Sequence, residues 1–387
     1  MYLELSEEQQ LVKANMREFC DLYVAPASEE TDHDAKFPAE NLKKLAEQEM
    51  LGIPYPEEYG GAGADFLTYV VTIEELSRAC AATGFVVAVN TSLVCFPIYQ
   101  FGSEDQKKKF LTPLCKGKMV GALAMSEPGK STGTAGWSAT ARHEGSEYVL
   151  NGTKAYVANA PVAGVFLVFA GSEKGPSVFV VPADTPGIKA GAPVNKMGLR
   201  GAVASEVILK DCRIPEANLL GREGQGDEIA AAILDNGRIS VAAQALGIAQ
   251  AALDESVRYS KERVQFGQAI CNFQAIQWMV ANMGIEVEVS RSLTYYAAWC
   301  YDKGLPYGGE AAMAKLMASD TAARQSDTAV QIHGGIGTVK GQKVERLYRD
   351  AKITQIFEGT SEDMKSIVAD SIFSGDLLRE GDKCLGL

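Results

Sequence analysis

The chain has 387 residues, 47% hydrophobic and 22% charged, the balance of a globular protein of two or three domains whose core needs neither disulfide nor metal. Its net charge of −12 argues against a groove for nucleic acid or an anionic membrane surface, since both need a basic excess; a local basic patch for an anionic ligand stays open. Eight scattered cysteines without a CxxC pair read as reduced, mostly buried thiols, and three histidines, His33, His143 and His333, offer little to a metal site or a histidine-dependent nucleophile. Chemistry is therefore expected from carboxylates, backbone amides or a cofactor.

The N-terminus lacks an apolar signal core, and no apolar run reaches the roughly 20 residues of a membrane span, so the expected compartment is the cytoplasm. From Ser6 to about Cys115 the apolar spacing is helical, broken by Pro54, Pro56 and the run Tyr59-Gly60-Gly61-Ala62-Gly63. From about Met119 to Leu220 the signal is strand-like, with Glu147–Leu150, Val165–Phe169 and Ser177–Val181 as β-rich runs; Asn151-Gly152 reads as a hairpin turn, and the whole as a small barrel or sandwich. Beyond Gly224 the helical period returns over Ile229–Val264, Phe273–Asp302 and Gly309–Ile332, lengths that suit a four-helix bundle, with Gly237 a weak point inside the first. The expected fold is mainly α with a central β domain, divided into residues 1–118, 119–224 and 225–387.

Three segments carry possible chemistry. Glu358 follows the apolar Ile353, Ile356 and Phe357 and precedes Gly359, where the backbone can turn or approach a ligand. A carboxylate in such a setting loses hydration, its pKa rises, and it suits a general base near neutral pH. Taken alone, a glutamate beside a glycine helix stop is the blander reading of that segment. The loop Ser126–Gly136 offers hydroxyls and free amides to a flat heterocycle or a phosphate, although it completes neither a P-loop, having Ala124 where the opening glycine belongs, nor GxGxxG. Arg263-Val264-Gln265-Phe266-Gly267 and Gln331-Ile332-His333-Gly334-Gly335 can meet a pyrophosphate, or simply be glycine-capped helix ends.

In order and spacing these segments, with Asn151-Gly152-Thr153-Lys154, Asp350-Ala351-Lys352 and Glu358-Gly359-Thr360, resemble the acyl-CoA dehydrogenase family over nearly the whole chain, most closely its short-chain, butyryl-type branch. The resemblance implies N-terminal helices, a middle β-barrel and a C-terminal four-helix bundle, assembled as a homotetramer that binds FAD and passes electrons to an electron-transferring flavoprotein. It implies that Glu358 removes the α-proton of an acyl-CoA thioester while the β-hydrogen leaves as hydride to flavin N5, giving a 2,3-enoyl-CoA. The thioester oxygen would be held by the base's own backbone N–H and a flavin hydroxyl. By the same carry-over, Leu123, Met125, Ser126, Thr132, Tyr156 and Ala158 line the flavin, and Ser126 and Thr132 also serve the CoA arm. Arg263, Gln265, Phe266, Gln331 and Gly335 hold FAD, in part that of a neighbouring subunit, and Thr360 and Glu362 lie near its phosphates or ribose. Arg238 falls near the CoA nucleotide, Gly359 beside the substrate, and Asn90 and Thr91 at the border of the acyl pocket.

The chain departs from the family pattern in reading Tyr156-Val157-Ala158 for Trp-Ile-Thr, Gly129-Lys130-Ser131-Thr132-Gly133 for Gly-Ala-Gly-Ser-Asp, and Ala160 where glycine is common. Ala158 lacks the hydroxyl that the family places at flavin N5. These changes, with the polarity of Asn90 and Thr91, raise three alternatives: an alicyclic substrate, a reductase direction in an electron-bifurcating complex, and an oxidase. A non-catalytic flavin-binding member is disfavoured by the presence of Glu358.

Overall fold

The computed structural model describes residues 4–129 and 137–377, so Thr132, Lys130, Ser131 and Gly133 lie outside the described residues. Helix α1 (Glu7–Phe19) begins with a capping box: the Ser6 hydroxyl accepts the Gln9 N–H, and the Gln9 side chain accepts the Ser6 N–H. A wide turn at Cys20–Val24 leads to α2 (Ala25–His33), and α3 (Ala39–Glu47) follows. Helix α4 (Phe66–Ala79) is buried on every side, including its charged Glu74, Glu75 and Arg78, of which Glu75 and Arg78 pair with each other. Its first N–H groups are satisfied by two carboxylates: Asp65 accepts from Thr68 at 2.8 Å, and Asp302 from Phe66 and Leu67 at 2.8 and 3.0 Å.

Helix α5 (Ala81–Ala88) widens at Val89–Cys95 and continues as α6 (Phe96–Phe101), ahead of the short α7 (Glu104–Gln106) and α8 (Thr112–Cys115). The 21 residues from Ala81 to Phe101 are long and apolar enough to cross a membrane, contrary to the expectation that no run reaches that length. Their most apolar window is 94% buried inside the protein, so core packing accounts for the composition.

The β domain comprises β1 (Gly121–Ala124), β2 (Thr140–Glu144), β3 (Glu147–Ala158), β4 (Val165–Ser172), β5 (Gly175–Pro182), β6 (Ile188–Ala190), β7 (Ala204–Pro215) and β8 (Leu219–Leu220). They form one mixed sheet in the order β6-β7-β3-β2-β4-β5-β8, with β1 parallel to β4. The order runs from β6 to β8, which among the described residues do not pair with each other. The hairpin turn falls at Gly145-Ser146, where Glu144 faces Glu147, and not at Asn151-Gly152. There β3 runs straight on, slipping register against β7, because the Asn151 side chain is spent across the strands: its amide oxygen accepts the Asp211 N–H at 2.8 Å.

The 37-residue α9 (Gly226–Glu262) passes through Gly237 without a break. A hairpin of β9 (Val264–Gln265) and β10 (Gln268–Ala269) separates it from α10 (Gln274–Asp302), and α11 (Gly308–His333), α12 (Lys343–Thr354) and α13 (Ser361–Phe373) complete the described chain. Helix α9 packs on α4, α10, α11 and α12, and buried alanines such as Ala245, Ala249, Ala314 and Ala318 let the helices approach closely. One apolar cluster joins the N-terminal helices to this bundle, and a second joins the Val89–Cys95 turn to one face of the sheet and the start of α9. The two clusters place the helical and sheet domains around the N-terminal third of α9.

Candidate active site

Glu358 stands on the turn between α12 and α13, at that N-terminal third of α9. Ile356 and Phe357 still bond back to Ile353, at 2.9 and 3.1 Å, and the Ser361 N–H then reaches the Gln355 carbonyl at 3.1 Å, closing the loop. Glu358 itself has φ +55° and Gly359 φ +106°. A left-handed glutamate costs roughly 1–3 kcal/mol, so the surroundings must hold it there.

Two buried cations do so from two helices. Arg238 of α9 donates Nε to the Glu358 carbonyl at 3.3 Å, and its other arm is paired with Asp235 at 2.6 Å. Lys315 of α11, which has no exposed surface, donates Nζ to the Gly359 carbonyl. Asp320, one turn further along α11, accepts from Gln355 at 2.7 Å and from Ser361 at 3.5 Å, on either side of the turn. A Cβ at Gly359 would meet only the Met364 Cε, at 2.5 Å, the movable end of a flexible side chain, so it is the φ of +106° that calls for glycine there.

The carboxyl of Glu358 points back at α9. A Cβ added to Gly237 would stand 3.6 Å from its Oε2 and 2.7 Å from the Leu93 Cδ2, so the missing side chain of Gly237 opens the gap between Leu93 and the carboxylate. Phe357 packs edge-on to Phe85, ring centroids 5.0 Å apart, closing one side. Burial pushes the Glu358 carboxyl above the ordinary carboxylate range, while Arg238 and Lys315 pull it part of the way back. The same burial lowers Lys315 to about 8, opposed by the Glu358 charge and reinforced by that of Arg238.

The chain leaves β1 in the apolar cluster that also holds Leu93. Met125 is buried, Leu123 and Ser126 are half-buried, and the Ser126 carbonyl accepts the Ala155 N–H at 2.9 Å, bringing the loop onto β3. At Tyr156, φ +54°, the β3–β7 register slips between Lys154 and Val157, and the bulge turns the ring out until 76% of the residue is exposed, next to the half-buried Ala158. An exposed aromatic face over small residues, beside backbone amides, fits a flat heterocycle. Under the loop Glu127 accepts from Lys154 at 2.8 Å and from the N–H groups of Ser138 and Ala139 at 2.6 and 2.9 Å. Burial opposes its ionisation, but Lys154 and those two amides overrule it and hold the pKa at about 2.

The expected substrate residues divide. Asn90 accepts the Gly121 N–H at 3.0 Å and Thr91 donates to the Leu51 carbonyl at 3.1 Å, so both polar side chains brace backbone inside the core and need no ligand to account for them. Arg238, expected near the CoA nucleotide, is buried and donates Nε to the Glu358 carbonyl and Nη1 to Asp235. Among the expected cofactor residues, Arg263, Gln265, Phe266, Gln331 and Gly335 are exposed at the far end of the bundle, Phe266 by 92% at φ +52°. Such exposure fits a group held between this chain and another. Thr360 caps α13, its hydroxyl accepting the Asp363 N–H at 3.1 Å, and Glu362 is exposed in the first turn. Gly237, Leu93, Lys315, Glu127 and Lys154 were not singled out for the site from the sequence. Lys315 carries a readable sign, a lysine spaced with Ala311, Ala318 and Ala322 on the apolar face of α11.

The chain matches three family models: acyl-CoA dehydrogenase, N-terminal domain, over residues 6–118; middle domain, over 122–212; and C-terminal domain, over 224–373. It is 43% identical to a short-chain specific acyl-CoA dehydrogenase of Clostridium acetobutylicum, over 96% of this chain and 100% of the relative. The butyryl-CoA dehydrogenase structure from Megasphaera elsdenii superposes with a TM-score of 0.94 at 39% identity, covering 96% of this chain and 100% of that one. A structure from a study of the electron transferring flavoprotein of Acidaminococcus fermentans and flavin-based electron bifurcation superposes at 0.93 with 43% identity, covering 98% and 100%.

Proposed function

Since this chain belongs to the acyl-CoA dehydrogenase family, we propose that Glu358 is the base with which it converts a short-chain acyl-CoA to the 2,3-enoyl-CoA. The chain is an FAD-dependent acyl-CoA dehydrogenase. One observation carries the assignment of the base: a carboxylate held at φ +55° over the Gly237 gap, with its pKa raised by burial.

The α-proton of a thioester is too weakly acidic for a carboxylate in water. Burial makes Glu358 a stronger base, and the closed side formed by Phe85 and Phe357 keeps water from competing for it. Arg238 and Lys315 hold the two carbonyls of the turn and so fix where the carboxylate aims. Bound FAD supplies the two-electron acceptor for the hydrogen leaving the β-carbon. Leu123, Met125, Ser126, Tyr156 and Ala158 would hold its ring, and Arg263, Gln265, Phe266, Gln331, Gly335, Thr360 and Glu362 its remainder.

We further propose a cytoplasmic homotetramer; that it delivers electrons to an electron-transferring flavoprotein is supported by the likeness to the Acidaminococcus fermentans structure. The same likeness favours a second reading, reduction of an enoyl-CoA in a bifurcating assembly, with Glu358 returning the proton. The alicyclic reading loses one of its supports, because Asn90 and Thr91 are spent on backbone.

The test is an anaerobic titration of the flavin-loaded protein with butyryl-CoA and with cyclohexane-carboxyl-CoA, Glu358→Gln alongside. Bleaching of the visible flavin band by butyryl-CoA in the parent alone is expected. Equal bleaching in Glu358→Gln removes Glu358 as the base.

A further inference from the structure

Lys315 is out of place by composition. It occupies the Ala-lined face of α11 with no exposed surface, where a methionine or leucine would pack without desolvating a charge. What it touches accounts for it. Its Nζ donates to the Gly359 carbonyl, the backbone group directly after the proposed base, at the one turn between α12 and α13 where two consecutive residues are left-handed.

The charges around it come from three helices and the turn itself: Glu358 on the turn, Arg238 on α9, Asp320 on α11 and Asp363 on α13. Arg238 is already paired with Asp235. Asp320 accepts from the Gln355 side-chain amide at 2.7 Å, and Asp363 from the Thr360 N–H at 2.9 Å, so both acids are engaged by residues of the turn. Of these charges, that of Glu358 acts most strongly on Lys315.

We infer that Lys315 is a positioning residue for the dehydrogenation: it locks the Glu358–Gly359 turn through the Gly359 carbonyl, and its charge favours the ionised form of Glu358 in the free enzyme. This rests on Glu358 being the base. Two consequences separate. The hydrogen bond governs where the carboxylate points and therefore kcat; the charge governs the pH at which the carboxylate forms and therefore the acidic limb of kcat/KM.

The experiment compares the flavin-loaded parent with Lys315→Met, Lys315→Gln and Lys315→Arg, using butyryl-CoA from pH 5 to 9 and the visible spectrum to show that flavin is retained. Removing the cation disfavours the carboxylate, so Met and Gln move the acidic limb upward by about one pH unit, while Arg leaves it in place. Lys315→Met also lowers plateau kcat about tenfold with KM little changed, and Lys315→Gln, which keeps an N–H donor, loses less. A purely structural lysine would lower the melting temperature of all three and leave the limb where it is. Should the Met variant fail to fold, the Gln variant decides the question by its limb alone. Acidic limbs in Met and Gln that overlay the parent overturn the inference. Glu358→Gln run beside them keeps the two readings apart: its inactivity upholds the base, and unmoved limbs then count against Lys315 only.

Discussion

Glu358 is proposed as the base because of what surrounds one carboxyl group. Its pKa is raised, so the reactive ionised form is present above that raised value and is lost as pH falls through it. The acidic limb of kcat/KM for butyryl-CoA should accordingly lie above the usual glutamate range, which a pH–rate profile measures directly. Gly237 is the second critical residue. Its hydrogen leaves the gap that a methyl group would close, 2.7 Å from Leu93 and 3.6 Å from the carboxylate. Gly237→Ala should improve α9 as a helix yet lower kcat/KM about tenfold by displacing Leu93 or the acyl group, a combination read from melting and steady-state kinetics together.

At the scale of elements, the site is assembled where four segments end or bend: the α12–α13 turn, the Val89–Cys95 wide turn, the β1 exit and the β3 bulge. The pair of Lys154 on β3 and Glu127 on the loop after β1 fixes one of these joints with almost no exposed surface. Lys154→Met leaves Glu127 charged and buried, for a loss of about 3–5 kcal/mol, visible as a lower denaturation midpoint. That variant should also bind flavin more weakly, because the loop leading from β1 loses its anchor. Thr360→Ala removes the cap of α13 at a cost of about 1 kcal/mol, a smaller effect that the same denaturation series resolves.

Across the whole molecule, the β domain is tied to the bundle by Asp350 of α12, whose Oδ1 accepts the Leu199 N–H at 2.6 Å from the loop before β7. Burial is the main force on this carboxyl and, reinforced by Asp32 but opposed by the Leu199 amide, Arg346 and Arg349, pushes it up to about 6. A raised folded-state pKa means the folded protein holds the proton more tightly than the unfolded chain. This contribution to stability is complete below about pH 4 and is lost as pH rises through about 6. Asp350→Asn, which keeps an acceptor for Leu199, should remove that part of the pH dependence, so that its melting temperature gains on the parent between those two values.

The order helix, sheet, helix was legible in the sequence, because periodicity depends on neighbours a few residues apart. Taken alone the segment around Glu358 reads as a helix stop, and the family resemblance is what makes Glu358 the candidate base. The turn at Asn151-Gly152 was misread because local propensity favours a hairpin, and the partner that overrides it, Asp211, lies sixty residues away on β7. Asn90 and Thr91 looked like pocket polarity in a linear chain, but the tertiary fold spends them on Gly121 and Leu51. Lys315, Arg238 and Gly237 come together around Glu358 only when α9, α11 and the α12–α13 turn pack. Burial and charge proximity are properties of that packing, and they decide which side chains bind backbone, which carboxylate keeps a high pKa, and where the acyl group has room.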